Sequence, residues 1–553
     1  MTRVTGVRSV VVAVALALAA GACSTSTEPT AAPTAGDARV ERVRVAARPG
    51  SYPTPIGARR QGQLQSTFLF DTLVWKDSTG DIIPWLASSW ERSPDGTQIT
   101  FTIRDGVRWH DGLPLTNEDV VFSYQYLMKP PGMAAAGILG AIFVGNMNEV
   151  VAVAPNQVVF RMKRPWAPFL PQIAGIVRII PKHIWEAVTD PAAFTGPQAT
   201  IGSGPYKLES YDLATFTAAF VANDDYFLGP PHVRRIEFVP AADQLLALQQ
   251  GDIDAADAGT EDQLPEGALD PFLNDSRFGT VGGPPEWNRA LHFNLTKGFP
   301  FDDKRFRQAV AYAIDRDDMV KRILFGQGVV GSSGGLSPAS PWVAPSLPVY
   351  AHDVARANTL LDEVGLKDAD GDGVRDLPDG SPFVPELQTN AQFSPKPAEL
   401  ISEYLRQVGL SMTINTLEPA AADDSAFAGT YEMTLLGYGA LGGDPDLLLR
   451  VRHTPAAINL PQKSKGYDNA EVVALGEQQL FTADDGSRLG LVQQLQRIVA
   501  DDLPSLSLYL PEPQLIFVND VFDGWYLTPG GFGTVLSGAL NKHALVTGKK
   551  VGF

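Results

Sequence analysis

The chain has one cysteine in 553 residues, Cys23, and none beyond it. A single thiol closes no intramolecular disulfide and supplies no cysteine-cluster metal site. The body after residue 23 must therefore be held without disulfides or a cysteine-bound metal. At 44% hydrophobic residues over the full sequence, the chain has the material for a core of its own. At about 100–200 residues per domain, this length corresponds to two or more lobes.

The position of Cys23 carries its own information. Arg3 and Arg8 make a basic start, residues 10–20 are an unbroken apolar run, and Gly21 and Ala22 lead into the cysteine. A basic n-region, an apolar h-region of about 7–15 residues and small residues at the cut define a signal peptide, here residues 1–22. The run falls short of the roughly 20 apolar residues that span a bilayer. "AAGAC" resembles a lipobox, whose cysteine is lipidated and becomes the mature N-terminus. Ala20 stands where leucine is usual, and an ordinary signal cut near Ala22 is the alternative. Residues 23–36 then read as lipidated Cys23 and a flexible tether, since "STSTEPTAAPTAG" has no apolar period to fold around.

The formal net charge is −18, without a basic stripe, which argues against nucleic-acid binding and fits simple solubility. No later apolar run approaches bilayer length.

Along the body, Ile99, Phe101 and Ile103 alternate with polar residues and predict a half-buried strand. Thr116 and Asp119 have capping-box spacing and open a helix in "LTNEDVVFSYQYL". "YKLESY" and "TFTAAFVA" read as a hairpin around residues 212–214. "DQLLALQQG" reads as a short helix between Asp243 and Gly251. "DDKRFRQAVAYAIDRDDMVKRILFG" predicts one long amphipathic helix, with Phe306, Val310 and Ile314 four apart and Gly326 closing it. Further helices are expected at 353–364, 397–408 and 489–501. Strands are expected in "QVVFRMK", "VRRIEFV", "RALHFNL", "SMTINTL", "YEMTLLG" and "PQLIFV". This uneven alternation indicates an α/β or α+β body with mixed sheets.

Catalytic patterns fail their context. Gly326, Gly328 and Gly331 match G-x-G-x-x-G, but a helix precedes them instead of a strand. Gly331-Ser332-Ser333-Gly334-Gly335 matches G-x-S-x-G, but the proline-rich stretch after it cannot start the helix of a nucleophile elbow. The seven histidines are dispersed, without zinc-site spacing. No catalytic residue and no enzyme activity are expected. In "DADGDGVRDLPD", Asp368, Asp370, Asp372, Gly373, Asp376 and Asp379 fall on positions 1, 3, 5, 6, 9 and 12 of a calcium loop. Aspartate at position 12, Arg375 at position 8 and the prolines that follow disagree. A solvated turn is favoured, with structural calcium as the alternative.

"FDTLVWKDSTGDIIPWLASSWERSPDGTQITFTIRDGVRWHDGLPLTNEDVVFSYQYL" (residues 70–127) closely resembles the N-terminal signature of the extracytoplasmic solute-binding proteins of family 5, the peptide/nickel-type receptors of ABC importers. The resemblance continues in family order from about residue 43 to about 510, through "IGSGPYKLESYD", "LLALQQGDIDAAD" and "LHFNLTKGFPFDDKRFRQAVAYAIDRDDMV". It implies an α/β, two-lobed, periplasmic-binding-protein-like fold of type II (the large cluster with an extra subdomain), with mixed sheets and a hinge-closing cleft. Lobe I is expected over 37–285, with 81–200 approximately the extra subdomain, lobe II over 286–510, and a return to lobe I over 511–553.

The resemblance further implies a monomeric substrate-binding lipoprotein on the outer face of the cell membrane. It would capture an oligopeptide or similar solute and deliver it to an ABC permease with ATP-binding subunits. No cofactor is expected apart from the calcium alternative. In peptide-binding members, an aspartate in a segment like W-x-x-D-Y-P-D-P holds the α-amino group. Here "GYGALGGDPDLLLR" places Tyr438 at the tryptophan and Leu441 at that aspartate, while Asp444-Pro445 match the later D-P and read as a helix cap. That departure keeps an oligosaccharide receptor open, as well as an envelope scaffold or signalling lipoprotein of this fold. Candidate ligand contacts are Tyr52, Asn294, Tyr438, Leu441 and Trp525.

Overall fold

A computed structural model of the protein describes residues 39–56, 61–132, 145–258, 267–439, 443–455, 460–530 and 541–548. Cys23, the signal segment, the tether and Leu441 lie outside the described residues.

Local pattern and local structure agree where one side chain or one period decides. The strand Gln98–Ile103 buries Ile99, Phe101 and Ile103 and leaves the alternate residues half-exposed. Asp119 reaches back to accept the Thr116 N–H at 2.8 Å, opening the helix Asn117–Leu127. Asp243 accepts the Leu246 N–H at 3.0 Å, and Gly251 ends that short helix with φ +79°, a conformation that favours glycine.

The long helix expected after residue 303 is two helices, Lys304–Ala313 and Arg316–Leu324. Ile314 leaves helical geometry with ψ 121°. Asp315 then accepts the Asp318 N–H at 2.9 Å and caps the second helix. An aspartate favours this N-cap role over a helix interior. Ile314 stays fully buried across the break, so the apolar period runs through it and conceals it.

The described strands form a seven-stranded sheet, a six-stranded sheet, a four-stranded sheet and one two-stranded pair. The seven-stranded sheet, in spatial order, is Phe278–Gly282, Gln514–Val518, Ala255–Ala258, Val43–Ala46, Arg235–Val239, Ala218–Ala222 and Tyr206–Tyr211. Val43–Ala46 is parallel to both neighbours and the remaining pairs are antiparallel. The six-stranded sheet centres on Ser505–Pro511, Asn288–Phe293 and Met433–Tyr438. The four-stranded sheet is antiparallel throughout and spans Ala87–Arg92 to Gln157–Met162. It shares one apolar core with the seven-stranded sheet, whereas the six-stranded sheet packs its own helices. The molecule is therefore two-lobed.

Two short crossovers join the lobes. The chain passes from Phe278–Gly282 to Asn288–Phe293 through residues 283–287, and returns from Ser505–Pro511 to Gln514–Val518 through residues 512–513. The crossovers touch: the Gly283 N–H donates to the Pro513 carbonyl at 3.0 Å.

Candidate functional site: a cavity between the lobes

A cavity of about 860 Å3 lies between the lobes, within the roughly 300–1,000 Å3 typical of ligand pockets. Lys76, Asp81, Ile82 and Leu170 line it from the first lobe, with Arg92 at the end of its strand. Glu286 lines it from a crossover, and Leu336, Trp342, Asp444, Asp485 and Arg488 from the second lobe. The lobes also touch beside it. The Ala167 N–H donates to the Leu480 carbonyl at 3.0 Å, and the Arg164 guanidinium sits 3.4 Å from the Phe481 ring centroid.

One end of the cavity is built on a glycine contact. Gly443 (φ +69°) and Gly530 (φ +57°) come so close that a Cβ on Gly530 would lie 2.6 Å from the Gly443 Cα. Only glycine permits that approach. The gap lets the Lys76 ammonium donate to the Gly530 carbonyl at 2.8 Å, while the Gly530 N–H donates to Glu286 at 2.6 Å. Burial lowers the Lys76 pKa, and Glu286 followed by Asp444 opposes that shift. Burial pushes the Glu286 carboxyl up to about 7, against the Gly530 hydrogen bond and the Lys76 charge.

The other wall carries a buried ion pair. Arg488 donates to both oxygens of Asp444, at 2.7 and 2.8 Å, with both side chains nearly inaccessible. Its Nε–H and an Nη2–H also donate to Gln479, at 3.0 and 2.9 Å. Asp444 also accepts the Asp446 N–H at 2.9 Å, the capping role read from the sequence, and the Gln172 amide at 3.4 Å across the cleft.

The Glu286 shift has a testable sign. Its ordinary pKa of 4.5 rises to about 7 in the fold, so between those values the folded state holds a proton that the unfolded chain has released. Stability is fullest below about pH 4.5 and falls as pH rises through 7. The Glu286→Gln variant is expected to lose this dependence and to be more stable than the parent at pH 8 by on the order of 2 kcal/mol, allowing for the carboxyl's partial exposure. Melting curves from pH 4 to 8 check this; parallel profiles for parent and variant would refute it.

Sequence reasoning did not single out Lys76, Arg92, Glu286 or Arg488. Lys76 and Arg92 sit unmarked within the family-like stretch of residues 70–127, and only the fold brings the four together. None of the four described ligand-contact candidates lines this cavity. Asn294 is fully buried, its amide donating to the Gly429 and Tyr431 carbonyls and its Oδ1 accepting from Thr296. Tyr438 is buried under Arg452, 3.5 Å from its ring centroid, and its hydroxyl accepts from Asn288 at 2.7 Å. Trp525 packs edge-on to Phe522 in the first-lobe core. Tyr52 is half-buried, edge-on to Tyr211.

In the acidic loop, Asp368, Asp370 and Asp376 bring carboxylate oxygens within 4.8 Å of one another. Asp372 and Asp379 do not join them; they accept the N–H groups of Val374 and Ser381. Asp368, Asp370 and Asp376 likewise accept amides of the loop, the Asx-turn bonding of a solvated turn. Arg375 is buried and donates to the Val408 and Leu366 carbonyls and to Asp362, which ties the loop to its neighbouring helix.

Residues 81–457 match the family model described as bacterial extracellular solute-binding proteins, family 5. The chain is 28% identical over 462 residues to a dipeptide-binding protein of Escherichia coli (strain K12), covering 79% of this chain and 83% of that protein. It is also 28% identical over 464 residues to an oligopeptide-binding protein of Bacillus subtilis (strain 168), covering 80% and 81%. Among solved structures, NikA from Brucella suis in complex with Fe(III)-EDTA superposes with a TM-score of 0.77 at 23% identity, covering 89% of this chain and 98% of that one. The Bacillus subtilis oligopeptide-binding protein in complex with a nonapeptide superposes with a TM-score of 0.73 at 23% identity, covering 89% and 96%.

Proposed function

The chain belongs to the bacterial extracellular solute-binding proteins of family 5, and from that premise we propose that its inter-lobe cavity captures a short oligopeptide or similar solute for delivery to an ABC permease. The observation that carries this reading is the cavity itself: both lobes and one crossover wall it, and acidic and basic groups line it together. A solute touching both lobes favours their closed arrangement by its extra contacts there, which is the differential affinity that a closure equilibrium requires. The relatives named for dipeptide and oligopeptide binding support the peptide class. Mass spectrometry of solutes released from purified protein tests it. Peptides of a few residues are expected, and a pool of oligosaccharides would replace this reading with the sugar alternative.

Lipidation at Cys23 completes the proposal. A lipid at the mature N-terminus, followed by a polar tether, holds a receptor at high local concentration beside its permease. Among the described residues no helix is long and apolar enough to cross a membrane. The Cys23→Ala variant is expected to move from the membrane fraction to the soluble one. Fractionation and immunoblotting measure this, and an unchanged membrane share would remove the anchor.

A further inference from the structure

Among the described residues three cations line the cavity: Lys76, Arg92 and Arg488. Two are engaged. Arg488 directs its N–H groups at Asp444 and Gln479, and Lys76 donates to the Gly530 carbonyl. Arg92 is different. It ends the strand Ala87–Arg92, is half-buried, and its side chain makes no hydrogen bond or ion pair among the described residues. A guanidinium carries five N–H donors in a rigid fork. Asp485 and Arg488, near the start of the helix Asp485–Asp502 on the opposite lobe, are the charges that act on it. Asp485 attracts it without forming an ion pair, and Arg92 is one of the residues that line the cavity.

We propose that Arg92 selects the solute by binding a carboxylate at its end of the cavity, through the paired N–H groups of its guanidinium. Bidentate Arg–carboxylate geometry is the match that an unoccupied fork offers. The assignment rests on the cavity being the solute site. It adds that the solute is an acid, and that esters and amides of the same skeleton are discriminated against.

The test uses the full protein, loaded from a pancreatic casein digest and from the same digest with its carboxyl groups converted to methyl esters. Retained species are separated by gel filtration and counted by mass spectrometry. Methylation is expected to lower retention at least about tenfold, as is Arg92→Gln, the loss that follows from a charge-assisted hydrogen-bonded pair. Arg92→Lys is expected to recover part of the binding, because it keeps the charge without the fork. The Arg92 side chain makes no hydrogen bond or ion pair among the described residues, so the melting temperature of Arg92→Gln is expected to stay near the parent value, separating binding loss from misfolding. Equal retention of acids and esters, or full binding by Arg92→Gln, overturns the assignment and leaves the receptor reading intact. Failure of the parent to retain any peptide overturns the assignment and the peptide reading together.

Discussion

Asp71→Ala is expected to destabilise the protein by about 3–5 kcal/mol, the range for leaving one member of a buried ion pair uncompensated. The Asp71 side chain is fully inaccessible, and four groups converge on it. Lys542 donates at 2.8 Å, the Trp85 indole at 2.8 Å and the Tyr226 hydroxyl at 2.9 Å, all to Oδ1; Ser203 donates at 2.9 Å to Oδ2. Lys542 also donates to the Phe70 carbonyl and lies over the Trp75 and Trp85 rings. This is the point where the helix Lys542–Thr547 is held against the first lobe. The expected signature is a lower denaturant midpoint, with early proteolysis of the C-terminal segment. A paired Asp71→Leu, Lys542→Met change should recover much of the loss, because it removes both buried charges at once. A single variant that melts with the parent would show that the charge is relieved by water.

Asp444→Ala is expected to cost about 3 kcal/mol or more for the same reason, with a different consequence. Arg488 would be left with only Gln479 as a hydrogen-bond partner in a site from which water is largely excluded. Because Asp444 also caps its own turn and meets Gln172 of the opposite lobe, the loss should appear as a looser cleft. Arg488→Met alone should be similarly harmful. The double variant should cost less than the sum, giving a coupling of a few kcal/mol in a double-mutant cycle. Additive single losses would mean that Asp444 acts through its cap alone.

What was legible in the sequence follows from how local each signal is. The spacing of Ile99, Phe101 and Ile103 and the pairing of Thr116 with Asp119 lie within a few residues of one another, and both forecast their elements. The Ile314–Asp315 break was missed because the apolar period is satisfied on both sides of it. Family membership was legible because many long segments agree in order. The cavity was not: Lys76 and Glu286 lie far in sequence from each other and from Asp444 and Arg488, and of the four only Asp444, read as a helix cap, carried a local signal. Asn294 and Tyr438 drew attention as polar and aromatic residues in strands that resemble the family's. Their side chains satisfy buried hydrogen bonds and packing in the second lobe.

The place of Gln514–Val518 has a consequence for how the molecule is made. That strand lies between Ala255–Ala258 and Phe278–Gly282 and pairs with both. The first lobe begins near the N-terminus, yet its sheet keeps an open slot until nearly the whole chain exists. Closing a loop of such length brings an entropic cost and a slow, non-local search. A chain interrupted before residue 514 would present two bare strand edges, the kind of surface that invites aggregation. Maturation of the lobe is therefore tied to completion of the polypeptide, and truncated products should be insoluble even though they contain most of both lobes.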